Sequence, residues 1–557
     1  DSTMYDISTT IDKPGAAQGQ KSALVQDIVD VCLSFLKDTG PAREASSACL
    51  SSLLTRPDMD YDLLDKFIAT ACSKIGTWCK RGETAVTDLN SDTFEIIGIL
   101  HCLSQIFKKG HRSRILPHAS TVLLPCLALS KQTNQLIVRK LTCKLCQRIG
   151  MTFLPPRVAA WRYQRGQRSL VKNLNEGNEN ENENENDDTT NTKAVQSQSA
   201  SAADEDNDDD NDIQDLDAME DIIDHLLTSL QDKDTVVRWS AAKGLGRITM
   251  RLDKDLGDDV VEAVFEVFTD PDADSAWHGG CLALGELTRR GLLLPERLSE
   301  VMPLLEKAIH FDVVRGQHSV GAHVRDAACY VCWAFARAYS PAVMKPFIDS
   351  LSAAMLITCL YDREINCRRA ASAAFQENVG RQGNENFPDG IEIITYADYF
   401  SLGNRTGAYL QIAPEIAKMN DDNHATLMYH LADVKMAHWD VDIRKLSARA
   451  LATLAPVNVL RSTEVFSELI GECFSPNFVV RHGSLLCVAE LLLALVTCGA
   501  PLSEDLVEQV TGLVPKLDKS RLFRGRGGEL MRQASCALLE NIAKSNLQFN
   551  MKTKVTL

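Results

Sequence analysis

Aromatic side chains are scarce in this 557-residue chain, at 6% of the total, while alanine and leucine are plentiful. That balance leans towards helix. Long apolar runs are missing too. The longest uncharged apolar stretch, residues 491–501, is too short to cross a bilayer, so no membrane span is expected. The opening "DSTMYDISTT" has neither a basic start nor an apolar run, and no signal peptide is expected there. There is no surplus of positive charge. The formal net charge is −16, but residues 176–212 alone hold fourteen acidic residues and one lysine, which leaves 58 basic and 61 acidic residues elsewhere. A nearly neutral body has no basic stripe to neutralise phosphates, so nucleic acid is not expected as a partner. The chain contains no G-x-x-x-x-G-K-[ST] loop, no H-E-x-x-H and no G-x-S-x-G. Conventional catalysis is unsupported, and neither catalytic residues nor a cofactor are expected.

Cysteine, by contrast, is abundant at seventeen residues. Most lie inside apolar helical stretches such as "LTCKLCQRI" and "AACYVCWAF", as free thiols do when they serve as small hydrophobes in a reducing compartment. His318, His323, Cys329 and Cys332 are zinc-ligand types close in sequence. Both cysteines fall on a helix apolar around most of its circumference, however, so buried thiols and loop histidines are the expected reading. The lone C-x-x-C at Cys143 and Cys146 has no second pair in range. No metal site is expected.

The tract "NEGNENENENENDDTTNTKAVQSQSASAADEDNDDDND" has no apolar periodicity and repels itself, which predicts a disordered acidic linker over residues 173–216. It separates N-terminal helical repeats (1–172) from central ones (217–557). The repeats are visible directly. "QDKDTVVRWSAAKGLGRI" puts Val237, Ala241, Leu245 and Ile248 on one helical stripe, with Asp234 as its expected N-cap. The layout returns as "AHVRDAACYVCWAF", "NCRRAASAAF", "VDIRKLSARALATL", "NFVVRHGSLLCVAEL" and "LMRQASCALLENI", with weaker copies around Arg43 and Arg139. The recurring arginines are Arg238, Arg325, Arg368, Arg444, Arg481 and Arg532. Trp277 and Arg405 fill the empty slots, giving intervals of 39, 48, 43, 37, 39, 37 and 51. A period of about forty, with one helix ending and a second beginning at each D-x-x-V-R turn, predicts an all-α solenoid of HEAT/armadillo type. One hairpin cannot bury its apolar face alone, but stacked hairpins share a core. The repeated Asp and Arg are expected to form a ladder between neighbouring repeats.

Such scaffolds work by offering a long surface to a protein, and the second helices and the loops after them are the expected contact sites. "VGRQG" predicts a helix C-cap at Gly380 followed by a loop. Arg381, Gln382, Asn404 and Arg405 are the residues expected to touch a partner. The loop arginines Arg363, Arg381, Arg405, Arg524 and Arg526 raise a second possibility, an arginine finger for another protein's GTPase site. A generic scaffold of karyopherin or phosphatase-scaffold type is a third.

Several stretches narrow the choice. "LQDKDTVVRWSAAKGLGRI", "AWHGGCLALGELTRRGLLLP", "VRDAACYVCWAFARAY", "DREINCRRAASAAFQENVGRQG" and "RVAAWRYQRGQRSL" resemble the tubulin-folding cofactor D family. The resemblance is strong over about residues 217–490, reasonable over 90–170 and thin at both ends. It implies capture of β-tubulin and work with cofactors E and C and an Arf-like small GTPase. Together these assemble or disassemble the αβ-tubulin heterodimer and stimulate its GTP hydrolysis. It implies a cytoplasmic, cytoskeleton-associated protein, and supplies no catalytic residues to carry over. Family members are considerably longer, so the chain is expected to correspond to their N-terminal half. Tubulin is acidic and this body is not basic, so shape and apolar contacts are expected to dominate capture, with salt having a modest effect.

Overall fold

The computed structural model describes residues 17–58, 61–81, 89–165, 215–525 and 527–546. Most of residues 173–216, and Arg526, lie outside the described residues. The chain divides into two compact units, Asp1–Arg162 with Asp187–Leu293, and Tyr163–Asn186 with Leu294–Leu557.

In the first unit five helical hairpins follow one another: α1 (Ala17–Phe35) and α2 (Pro41–Leu54), α3 (Tyr61–Arg81) and α4 (Leu89–Lys109), α5 (Ala119–Gln132) and α6 (Leu136–Phe153), α7 (Leu216–Leu230) and α8 (Thr235–Thr249), α9 (Lys254–Glu266) and α10 (Asp274–Thr288). The second helices stack in one layer, α2 on α4, α4 on α6, α6 on α8 and α8 on α10. The composition break at the acidic tract is therefore not a break in packing, since α6 lies against both α7 and α8. The predicted stripe of α8 is buried in full, Val237, Ala241, Leu245 and Ile248 each being at most 1% exposed. Val237, Leu245 and Ile248 each contribute about 1.5–3 kcal/mol by leaving water, and Ala241 less.

The second unit continues the plan with α11 (Leu298–Ile309) and α12 (Ala322–Ala338), then α13 (Ile348–Tyr361) and α14 (Ile365–Gln382). After a short α15 (Gly390–Tyr396) the regularity loosens. A helical segment ending in α16 (Ala413–Ala417) contains a π-helical turn, Ala408–Ile412, and α17 (Asp421–Tyr429) runs into a second, His430–Lys435. Regular pairs resume with α18 (Val441–Leu454), α19 (Val459–Glu472), α20 (Phe478–Thr497), α21 (Glu504–Thr511), α22 (Leu513–Lys519) and α23 (Gly528–Lys544). Here α12 packs on α14, and α20 packs on both α18 and α23.

The all-α expectation needs one addition. A small antiparallel hairpin, β1 (Val313–Arg315) with β2 (His318–Val320), turns at Gly316, whose φ of 69° suits a two-residue loop. It sits inside the turn before α12 and accounts for the stretched interval of 48 between Trp277 and Arg325. Two segments, Pro341–Tyr361 and Phe478–Thr497, are long and apolar enough to cross a membrane by length and composition, and 50% and 56% of their apolar windows are buried.

The recurring arginines act as clamps. Four of them find a carbonyl six residues back in their own turn: Arg238 donates to Asp232 O, Arg368 to Asp362 O, Arg444 to His438 O and Arg481 to Ser475 O, at 2.6–2.9 Å. Trp277 makes the equivalent bond through Nε1 to Asp270 O. Several guanidinium groups also reach forward to the next repeat. Arg139 pairs with Asp232 and Asp234, and Arg325 grips Asp362 through Nε (2.6 Å) and Nη2 (3.2 Å). The purely Asp–Arg ladder is corrected elsewhere. Arg238 donates to His278 Nδ1 at 2.8 Å, Arg444 to His482 Nδ1 at 3.1 Å, and Arg368 to the carbonyls of Leu402 and Gly403. Arg532 bonds within its own turn to Phe523 O. Asp234 stands at the N-cap position of α8, but its carboxylate faces Arg139 rather than the helix amides.

An acid dependence follows. His482 accepts from Arg444, so its Nδ1 is unprotonated, and burial together with Arg444 holds its pKa down to about 4. Burial likewise holds His225 at about 4. An unfolded histidine titrates near 6.5. Between these values the unfolded chain binds more protons, so the stabilisation is complete above about pH 6.5 and is lost as pH falls towards 4. The melting temperature is expected to fall between pH 7.5 and pH 5, at about 1.4 kcal/mol per such histidine per pH unit below 6.5. His482→Gln keeps an acceptor without a titrating proton and should flatten part of that slope in calorimetric scans. An unchanged slope would remove His482 from the account.

Candidate functional site

The stretch after α14 is where the sequence placed its contact residues, and the structure rearranges it. α14 does not stop at Gly380. It continues to Gln382, and Gly383 takes the positive φ, 79°, that ends it. Gln382 is therefore the last residue of a packed helix, 2% exposed, with Nε2 donating to Ala336 O and Tyr339 O. Arg381 is half-buried and ion-paired with Glu377 one turn back. Its own carbonyl accepts a hydrogen bond from Arg165, which also reaches Ala336 O. Arg165 and the neighbouring Tyr163, whose ring lies 5.5 Å from Tyr339, thus fasten the C-terminal ends of α12 and α14. This role for "AWRYQR" was not legible from repeat spacing. Asn404 is exposed, but its side chain caps the single turn Arg405–Gly407 by accepting from Gly407 N. Arg405 opens that turn and is half-buried. The link to the preceding repeat is made instead by Tyr409, whose hydroxyl donates to Tyr361 O at 2.6 Å.

What is presented to solvent is a short aromatic tip. In a chain poor in aromatics, Phe400 is 83% exposed, Tyr399 48% and Tyr396 40%, and Ile391 on α15 is 61% exposed. The tip is held from beneath by three residues of α14, Arg368, Arg369 and Ser372. Arg368 holds the Leu402 and Gly403 carbonyls, and Ser372 donates to Ala397 O at 2.8 Å. Arg369 donates to Tyr399 O at 3.0 Å and lies 4.4 Å from the Tyr399 ring centroid. Inside the turn Asp398 Oδ1 accepts from the amides of Phe400 and Ser401, and the Tyr399 and Phe400 rings meet edge to face at 5.5 Å. An apolar group already fixed in place loses little conformational freedom on binding, which is the physical advantage of such a tip. The available signal was "ADYFSLGN" itself: two adjacent aromatics in a polar turn with no core to enter.

The other candidate chemistry is inert. Cys329 and Cys332 are buried in α12, and burial pushes the Cys332 thiol up to about 12. His318 stands in β2. Among the described residues no three His, Cys, Asp or Glu side chains gather to hold a metal ion. Arg363 pairs with Glu364 and lies 4.9 Å from the Trp439 ring centroid, and Arg524 is exposed.

Two layers of stacked helical hairpins with clamped turns define an armadillo/HEAT-type repeat protein. A family model described as tubulin-specific chaperone D-like, ARM repeats matches residues 137–391, and a second of the same description matches residues 4–75. The chain belongs to the tubulin-specific chaperone D-like family. It is 40% identical over 535 residues to a tubulin-specific chaperone D of Dictyostelium discoideum, covering 91% of this chain and 34% of that one. It is 29% identical over 450 residues to a tubulin-folding cofactor D of Schizosaccharomyces pombe, covering 77% and 36%. The chain thus spans about a third of the length of these curated relatives, less than the half that the resemblance implied. Among solved structures, yeast importin-β aligns over 96% of this chain and 58% of its own, at 11% identity and a TM-score of 0.41.

Proposed function

We propose that this chain is a tubulin-holding part of a tubulin chaperone, acting by binding rather than by catalysis. It would take β-tubulin and, with further cofactors such as E and C and an Arf-like GTPase, assist assembly or disassembly of the αβ heterodimer in the cytoplasm. The observation that carries this reading is the exposed tip at Tyr399 and Phe400, its backbone anchored by α14, set in a chain whose relatives are named for tubulin. An apolar anchor on a nearly neutral body suits capture of an acidic protein by shape rather than by long-range attraction. No observation favours an arginine finger. Arg363 and Arg381 are each engaged by a neighbouring carboxylate.

The test is quantitative retention of purified tubulin by the chain and by its Tyr399→Ser/Phe400→Ser variant. Loss of two aromatic anchors is expected to weaken binding about 30-fold or more, as for interface hot spots. The melting temperature should stay within a degree or two, because neither ring is in the core. Equal retention by both proteins would sink the assignment of the tip, and no retention by either would sink the tubulin reading for this chain.

A further inference from the structure

The second unit contains a cavity of about 90 Å³ that the binding tip does not use, in which charged and imidazole groups share the lining with Ile309, Ile357 and Val434. It is lined by His310 at the end of α11, Asp312, Arg325, Asp362 and Arg363 at the neighbouring turns, and His430, Lys435 and His438 along and after the second π-helical turn. A π-turn inside a helix costs regular hydrogen bonding and recurs at functional sites. Here His430 is its first residue and Lys435 its last, and the wide turn brings both to the same cavity.

Most of the charge in this cavity is already committed. Arg325 holds Asp362 through two nitrogens. Asp312 accepts from Trp439 Nε1 and lies 3.6 Å from His438 Nε2. Arg363 is engaged by Glu364 and by the Trp439 ring. Two groups remain. His430 is fixed by a parallel stack with Tyr361 and by the His310 ring 5.7 Å away, and its buried Nε2 has no hydrogen-bond partner among the described residues. The Lys435 ammonium forms no ion pair within 4 Å among the described residues, and the Asp362 and Asp312 carboxylates act on it from farther off. A buried polar atom gains by finding a partner, and here an unpaired imidazole nitrogen and a lysine line one cavity. Lys435 donates in any geometry, and His430 donates through Nε2 in the tautomer that protonates it.

The geometry points to a binding site for one small oxyanion, the size of phosphate or of a single carboxylate group, held between Lys435 Nζ and His430 Nε2. The volume would hold several waters or one such ion. The ammonium favours an anion over a neutral ligand, and a metal ion would meet the lysine.

Titration calorimetry with inorganic phosphate at constant ionic strength, chloride replacing it in the control, is the direct test. Saturable binding with a Kd of about 1 mM is expected, the affinity of a few charge-assisted hydrogen bonds. Lys435→Met, which keeps the stem, and His430→Phe, which keeps the ring contact with Tyr361, should each weaken it at least tenfold. In the unaltered chain, phosphate should also slow acetylation of Lys435 relative to exposed lysines, a readout independent of any variant's folding. Acetate and a glutamate-containing peptide, run as competitors, distinguish a free ion from a carboxylate supplied by a partner protein. Non-saturable binding, binding unchanged in both variants, or no protection of Lys435 would overturn the site.

Discussion

Gly483→Ala is expected to destabilise the second unit by about 3 kcal/mol or more, the range of severe overpacking against immovable atoms. A Cβ at this position would lie inside the van der Waals envelope of the Met436 carbonyl, with Arg444 Cδ behind it at 3.3 Å. The obstacle is backbone at the end of the preceding helical segment, so no rotamer change relieves it. Gly279 repeats the arrangement in the first unit, against the Leu230 carbonyl. The correspondence extends to its neighbours. Leu230 lies eight residues before Arg238 and Met436 eight before Arg444, and each arginine reaches the histidine just ahead of the glycine, His278 or His482. A shared His-Gly pair therefore does two things at once: the imidazole accepts the clamp, and the glycine lets the helix approach a carbonyl. Gly471→Ala is the control, since a Cβ there meets nothing within 4 Å, and it should stabilise by about 0.5–1 kcal/mol through helix propensity and unfolded-state entropy. Chemical denaturation with hydrogen exchange would locate each effect. A Gly483→Ala protein as stable as the parent would mean that the helices separate without cost.

Arg325→Ala is expected to cost about 3–5 kcal/mol, because it abandons a buried carboxylate. Asp362 is 5% exposed, and after loss of the guanidinium its remaining bond of note is from the Glu364 amide, at 2.7 Å. The same change frees the Phe311 carbonyl, which Arg325 Nη1 reaches at 2.7 Å. Removing both charges, as Arg325→Met/Asp362→Leu, should cost clearly less than the sum of the single changes, since the pair pays desolvation on both sides. Additive losses in that cycle would show that Arg325 acts through packing and the Phe311 bond rather than through Asp362.

Repeat number and helix phase were legible because both depend on local chemistry. An apolar stripe spaced four, four and three must bury one face, and the arginine six residues past its turn carbonyl can clamp that turn whatever lies next door. The forward rungs were not legible. Whether a guanidinium meets Asp362, His482 or the Leu402 carbonyl depends on which groups the next repeat brings opposite it. The His-Gly pairs were present as "WHGG" at the Trp277 slot and "RHGS" at the Arg481 slot, a signal that repeat alignment can recover once histidine is weighed as an acceptor rather than as a metal ligand.

The contact residues show the same division more sharply. Arg381 and Gln382 read as a polar loop because glycine at 380 suggests a helix end, yet Gln382 has carbonyls of the adjacent helix to bond, which keeps the helix going to Gly383. Arg369, next in sequence to the clamp residue Arg368, holds an exposed tyrosine thirty residues away. The sequence by itself determined a stack of helical hairpins, its period, its buried stripes and its family, because those follow from side-chain pattern along one helix. Only the tertiary structure decided which aromatic residues stay in water, which cations find partners and where a cavity with unpaired donors remains, because each of those is set by what a neighbouring repeat places across the gap.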